Sequence, residues 1–209
     1  MINLRNETAS DHILTIEDPV EFLHANKRSI VNQREVGSDT KSFARALRGA
    51  LRAAPDVILV GEIRDRDSME AAIHLAGTGH LVLATLHANN CAQTLDRIIN
   101  MFPPEQHGQI FLDLSQYLRG ILAQRLVMGK DGHRVAAVEV MINTPHIADL
   151  INKGDVVGVK EAIAASAEQG IRSFDAALHE LYKQGRVELA HALANADSRA
   201  NLEAKINFG

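Results

Sequence analysis

Asp56-Val57-Ile58-Leu59-Val60-Gly61-Glu62-Ile63-Arg64-Asp65 is the stretch on which the reading of this chain turns. Val57 to Val60 is wholly apolar and has strand length, the pattern of a strand covered on both faces. Glycine ends the run and charged residues follow at once, so the strand delivers Glu62, Arg64 and Asp65 at its carboxyl end. In an open parallel sheet that is the end beyond which ligands bind.

Working outward, three more strand-length runs accompany it. His12-Ile13-Leu14-Thr15-Ile16 is stopped by Glu17-Asp18-Pro19. Ser29-Ile30-Val31-Asn32-Gln33 is shorter and more polar. His80-Leu81-Val82-Leu83-Ala84-Thr85-Leu86-His87 is the fourth. Helical patterns alternate with these runs, which marks βαβ units around a parallel sheet. Ser38 or Asp39 is placed to cap a helix in which Phe43, Leu47 and Leu51 recur, with Ala46 and Ala50 beside them. Arg45, Arg48 and Arg52 line its other side and read as a solvated face, with phosphate or a neighbouring subunit as the alternatives. A helix over residues 67–76 ends at Gly77-Thr78-Gly79, and another over 92–101 stops before Pro103-Pro104. Pro104 is placed to open a long helix towards Gln124.

Beyond it the pattern changes. Residues 125–128 and 135–142 flank Lys130-Asp131-Gly132 as a β-hairpin with Asp-Gly at its turn. Short helices follow over 146–152, 156–168, 173–184, 188–195 and 198–206, which places a domain seam near residue 144. The expected division is residues 1–144 and 145–209.

Composition narrows the function. The 209 residues are 46% apolar, enough for a real core, and 22 Lys+Arg against 26 Asp+Glu leave a net charge of -4. That balance gives no electrostatic case for nucleic-acid binding, and with no Trp and 2 Tyr there is little surface for stacking bases. No apolar run approaches the roughly 18 residues of a membrane span. The first residues lack the layout of a secretory signal. Cys91 is the only cysteine, which excludes an internal disulfide and a multi-cysteine zinc site. It reads as a small residue near a helix start. His80 and His87 come from one strand with no cysteine partner, a poor zinc pair. His107, His133, His146 and His179 fit no ligand spacing and read as surface residues.

Three strands end in groups able to handle a phosphate, a metal or a proton: Glu17-Asp18, Glu62-Ile63-Arg64-Asp65 and His87. An acidic group directly after a buried apolar strand can face Mg²⁺ or orient an attacking water. In combination they are more specific. Residues 51–65 resemble the Walker B signature of the type II secretion and type IV pilus ATPases (the GspE family), residues 13–22 its acidic "Asp box", and residues 78–87 its "His box". The tail is similar to the retraction branch, the PilT- and PilU-like proteins. Ile142-Asn143-Thr144-Pro145-His146-Ile147-Ala148-Asp149-Leu150-Ile151 and Ala194-Asn195-Ala196-Asp197-Ser198 are closer to the PilU-like form.

The resemblance implies an α/β fold: a RecA-like P-loop NTPase core, then a β-hairpin and a small C-terminal helical bundle. It implies ATP and Mg²⁺ as cofactors, with Glu62 and Glu17 as the catalytic carboxylates. Asp18, His80, His87 and Arg64 match nucleotide- or Mg²⁺-associated positions, and no protein ligand is assigned directly to the metal. Implied partners are a homo-hexamer, or a mixed ring with a related retraction ATPase, and an inner-membrane platform protein. The location is cytoplasmic, peripheral at the inner membrane, with neither nucleic acid nor membrane insertion involved. Coupled to ATP hydrolysis, such a motor depolymerises the pilus and produces twitching motility.

One element of the family is not found. No Gly-x-x-x-x-Gly-Lys-[Ser/Thr] loop, the Walker A cradle of the phosphates, occurs in the sequence. Only Met1 to Asp11 precede the Asp-box strand, so the chain is expected to start within the helix after that loop. The vacant strand position is expected to leave apolar side chains and backbone groups exposed on its neighbours. By itself, this chain is then expected neither to bind ATP tightly nor to turn it over. The competing readings are a non-catalytic truncated paralogue that joins or regulates a ring of intact subunits, and an assembly or secretion ATPase. Members of that last group commonly carry a four-cysteine zinc subdomain, which a single cysteine cannot build.

Overall fold

The computed structural model describes residues 1–166 and 170–208. The chain forms two compact units, one of Met1–His87 with Met101–Pro104, the other of Ala88–Asn100 with Glu105–Gly209.

The first unit runs α1 (Ile2–Thr8), β1 (His12–Glu17), β2 (Ile30–Glu35), α2 (Phe43–Ala50), β3 (Val57–Val60), α3 (Arg66–Gly77) and β4 (Leu81–Ala84). Its sheet has the order β2-β1-β3-β4, and every pair is parallel, as the alternating pattern predicts. Successive side chains in a strand point to opposite faces. Ile13, Val31 and Val57 pack with Ile2 of α1 on one face, while α2 and α3 lie against β1 and β4. β1 and β3 supply the wholly buried Ile13, Leu14, Ile16, Val57, Ile58 and Val60. β4 is different: among the described strands it pairs only with β3, and Leu81 is 37% exposed.

Two helix starts differ from the sequence reading. α2 is capped by Ser42, whose side chain accepts from the Arg45 N–H at 3.2 Å, and not by Ser38 or Asp39. Those two are engaged at the end of β2, where Asp39 accepts the Glu35 N–H (2.8 Å) and Ser38 donates to the Glu35 carboxylate. α3 starts at Arg66 because Asp65 caps it, accepting from the Ser68 N–H at 2.8 Å. Arg45, Arg48 and Arg52 are exposed.

The second unit holds α4 (Cys91–Ile99), α5 (His107–Tyr117), the antiparallel hairpin β5 (Gly120–Met128) and β6 (Arg134–Ile142), and five short helices. These are α6 (Pro145–Asn152), α7 (Val156–Ala165), α8 (Phe174–Lys183), α9 (Leu189–Ala194) and α10 (Arg199–Phe208). The long helix expected towards Gln124 stops at Tyr117, because residues 120–128 alternate exposed and buried and pair over nine positions with β6. The turn lies where Asp-Gly predicts, with Gly132 at φ +79°. Of the helix expected over 156–168, positions 167 and 168 lie outside the described residues. The hairpin buries Val127, Val135 and Ala137 against Phe174, Leu178 and Leu181 of α8, so it shares a core with the helices that follow it. His179 lies in α8 at 7% exposure, contrary to the surface reading. Burial, then the charges of Lys183 and Lys205, hold its imidazole below its ordinary pKa.

Candidate functional site

Parallel pairing in register brings the carboxyl ends of β1, β3 and β4 side by side. Thr15 aligns with Leu59, and Val60 with Ala84, so Glu17, Glu62 and the residues after Ala84 emerge at one edge of the sheet. Gly61 makes the approach possible. Its N–H donates to the Ile16 carbonyl at 2.8 Å, and a Cβ there would stand 3.1 Å from that oxygen and 3.2 Å from the Glu17 Cα. Thr85 then ties the end of β4 to that of β3, its hydroxyl donating to the Gly61 carbonyl and its carbonyl accepting the Ile63 N–H at 3.0 Å.

At this edge Glu62 is the centre of a charged cluster. Its side chain is 16% exposed; Arg64 Nη2 pairs with Oε1, and His87 Nε2 lies 3.3 Å from Oε2. The hydrogen bond from Arg64 holds the Glu62 carboxyl below its usual range, against the opposing effect of burial. Arg64 is in turn raised by Glu62 and, more weakly, by the charge of Asp18. Glu62, Arg64, His87 and Asp18 thus share one electrostatic environment, contributed by the ends of three strands.

Glu17 is held differently. Its Oε1 accepts from the Thr15 hydroxyl at 2.6 Å and from Gln33 Nε2 at 3.1 Å. Gln33 also donates to the Phe22 carbonyl (2.8 Å) and accepts the His24 N–H (2.8 Å). Thr15, Thr85 and Gln33 were not singled out from the sequence. The available signal was the polar character of the strand around Gln33, which has meaning only once its register against β1 is known.

His80 is not brought to this edge. The Leu81 N–H donates to the Asp56 carbonyl at 3.1 Å, so His80 stands at the amino end of β4, opposite His87. There its Nδ1 lies 3.2 Å from the Leu75 carbonyl and 3.2 Å from the Thr78 hydroxyl, at the end of α3. Cys91, in the second unit, is the buried first residue of α4. Its N–H donates to the buried Glu139 carboxylate at 2.7 Å, and burial, then Glu139, pushes its thiol pKa far up, the opposite of a reactive cysteine.

Acidic and basic groups thus gather at the carboxyl edge of the parallel sheet, and comparison with known proteins identifies the family. The family model described as "Type II/IV secretion system protein" matches residues 1–201. The chain belongs to this family.

Within it, the chain is 51% identical over 210 residues to the type IV pilus ATPase PilU of Pseudomonas aeruginosa, covering 100% of this chain and 55% of PilU. It is 43% identical over 196 residues to the type IV pilus retraction ATPase PilT of the same organism, covering 94% of this chain and 57% of PilT. The crystal structure of the pilus retraction motor PilT with bound ADP matches with a TM-score of 0.89 at 45% identity, over 97% of this chain and 57% of that one. The chain therefore spans a little over half the length of these relatives. Its α/β fold with a parallel sheet is that of the family's ATPase domain. No helix among the described residues is long and apolar enough to cross a membrane.

Proposed function

We propose that this chain is the nucleotide-hydrolysing part of a type IV pilus retraction motor of the PilU-like kind. The observation that carries the reading is the meeting of Glu62, Arg64, His87 and Asp18 at the strand ends, with Glu17 alongside on β1, in a chain so similar to PilU. Phosphoryl transfer to water needs positioning and charge compensation more than a covalent nucleophile, and these are what such a cluster can supply.

In this reading Glu62 orients the attacking water. With one oxygen on Arg64 and the other near His87, it is kept ionised and directionally fixed. His87, 82% exposed, reports on the terminal phosphate to Glu62, and Arg64 compensates charge. Among the described residues no group of three His, Cys, Asp or Glu side chains is close enough to hold a metal ion directly, so Glu17, Asp18 and Glu62 would meet Mg²⁺ through the water shell that this ion gives up reluctantly. Bound with ATP, the ion would supply compensation for the charge developing on the phosphate oxygens. Residues that cradle the phosphates are not among those named, since the sequence holds no Gly-x-x-x-x-Gly-Lys-[Ser/Thr] loop.

The functional division proposed is residues 1–144 as the ATPase core and 145–209 as a C-terminal helical subdomain. The motor assembles as a homo-hexamer or a mixed ring with a related retraction ATPase. It acts in the cytoplasm on an inner-membrane platform protein, and hydrolysis drives pilus depolymerisation and twitching.

The test uses the protein as its gene encodes it. Mg²⁺-dependent ATP hydrolysis and restored twitching in a retraction-deficient strain are expected from the wild type and not from Glu62→Gln. A Glu62→Gln variant with full activity in both assays would sink the reading. The 209 residues alone are expected to show no turnover.

A further inference from the structure

The segment between β1 and β2 follows Glu17 directly and has no regular secondary structure from residue 18 to residue 29. Nor does hydrophobic burial anchor it, since Phe22 and Leu23 are 76% and 87% exposed. Something else must fix its course, and its backbone groups need partners.

For residues 20–24 those partners lie on one face of β2, whereas residues 25–28 are held by Asn6 of α1, whose Nδ2 donates to the Ala25 carbonyl (2.8 Å), whose Oδ1 accepts the Lys27 N–H (3.0 Å) and whose carbonyl accepts the Arg28 N–H (2.9 Å). Gln33 holds three groups at once through its side-chain amide: Nε2 donates to Glu17 Oε1 (3.1 Å) and to the Phe22 carbonyl (2.8 Å), and Oε1 accepts the His24 N–H (2.8 Å). This fixes the amide orientation, because a flipped amide would set oxygen against two oxygens and an NH₂ against an N–H. Two residues on, and so on the same face, Glu35 Oε2 accepts the Val20 N–H at 3.0 Å. The amide of Gln33 thus joins the Glu17 carboxylate to the backbone five and seven residues beyond it. With the Thr15 hydroxyl it occupies Oε1 of Glu17. Among the described residues no such hydrogen bond falls on Oε2.

We propose that Gln33 is a positioning residue: it sets the direction in which Glu17 presents its second carboxylate oxygen, and it fixes segment 18–24, Asp18 included, in the same act. This rests on the reading of Glu17 as a carboxylate of ATP hydrolysis. Gln33 acts through Glu17 and the segment, not on the nucleotide, so its loss affects the chemical step more than nucleotide binding.

The test is steady-state ATPase kinetics of the encoded protein with Gln33→Leu, Gln33→Glu and, as control, Glu17→Gln. Gln33→Leu is expected to lower kcat roughly 10- to 100-fold, with KM for ATP changed less than about threefold. Gln33→Glu keeps the acceptor for the His24 N–H but, when ionised, cannot donate to Glu17. Its loss is expected to shrink between about pH 8 and about pH 6, because a carboxyl sharing a site with a second carboxylate takes up a proton more readily and then donates again. Gln33→Leu shows no such recovery, and a purely structural role gives none in either variant.

A Gln33→Leu kcat within twofold of wild type, while Glu17→Gln is inactive, overturns the proposal and leaves the ATPase reading standing. If the wild type does not hydrolyse ATP, or Glu17→Gln keeps its rate, the ATPase reading fails instead. Amide hydrogen exchange at His24 then decides for Gln33: exchange at least about tenfold faster in Gln33→Leu sustains its hold on the segment, and unchanged exchange overturns it.

Discussion

β3 and β4 are neighbouring parallel strands of equal length, Val-Ile-Leu-Val and Leu-Val-Leu-Ala, yet they meet different environments. Val57, Ile58 and Val60 of β3 are wholly buried, whereas β4 is exposed at both ends and half-buried between. Their carboxyl ends repeat the contrast, with Glu62 shielded and His87 open to solvent. Composition does not separate the two strands; place in the sheet does. β3 is paired on both edges, and β4 is paired with β3 alone among the described strands. A shielded carboxylate beside an accessible imidazole suits a site in which one group is fixed and the other meets a ligand.

The largest expected effect tests that asymmetry of function. In the encoded protein, Glu62→Gln should lower the hydrolysis rate by about 100-fold or more, and His87→Ala by less, because in the proposed function the fixed carboxylate is the group that orients the water. Equal losses would remove the distinction. Next comes stability: Ile58→Ala in β3 should cost about 2–5 kcal/mol in urea unfolding, while Leu81→Ala in β4 should cost about 1 kcal/mol or less. Similar costs would mean that the edge of β4 is as well packed as the interior of β3.

Arg64→Ala sharpens the comparison at the charged end. Arg64 is the main cause of the lowered Glu62 pKa, so the carboxyl titration followed by NMR should move up in the variant. The sign for stability follows. A carboxyl held low when folded contributes above its unfolded value, near 4.5, and that contribution fades as pH falls through the lowered folded value. Arg64→Ala should therefore flatten the acid side of the stability curve, and an unmoved titration would contradict the pairing.

The smallest effect contrasts two histidines. His87 is exposed, but His179 is buried and its pKa lowered. The unfolded chain takes up a proton at His179 near its ordinary 6.5 while the folded chain resists it, so stability is complete above that pH and declines below it. His179→Leu should reduce this slope in pH-dependent thermal melts. An unchanged slope would assign the acid sensitivity elsewhere.

Much of the first unit was legible because apolar runs bounded by Gly, Pro and charge leave few alternatives to strands. Glu17, Glu62 and His87 were legible as strand-end residues for the same reason. The N-cap of α2 was not, because Ser38, Asp39 and Ser42 are all good caps, and only the turn after β2 shows that the first two are already engaged. β5 was read four residues long in place of nine, since Gly120 to Gln124 also fits the end of a helix until β6 pairs with it. His179 looked like a surface residue because one histidine carries no periodicity of its own; burial came from the packing of α8.

By itself the sequence determined which segments are strands, that the sheet is parallel, and which charged groups stand at strand ends, since all of these follow from local pattern and chain order. The tertiary structure decided register and neighbourhood. These set Gln33 beside Glu17 and left β4 half open. Such relations depend on pairing between residues distant in the chain, which no local pattern encodes.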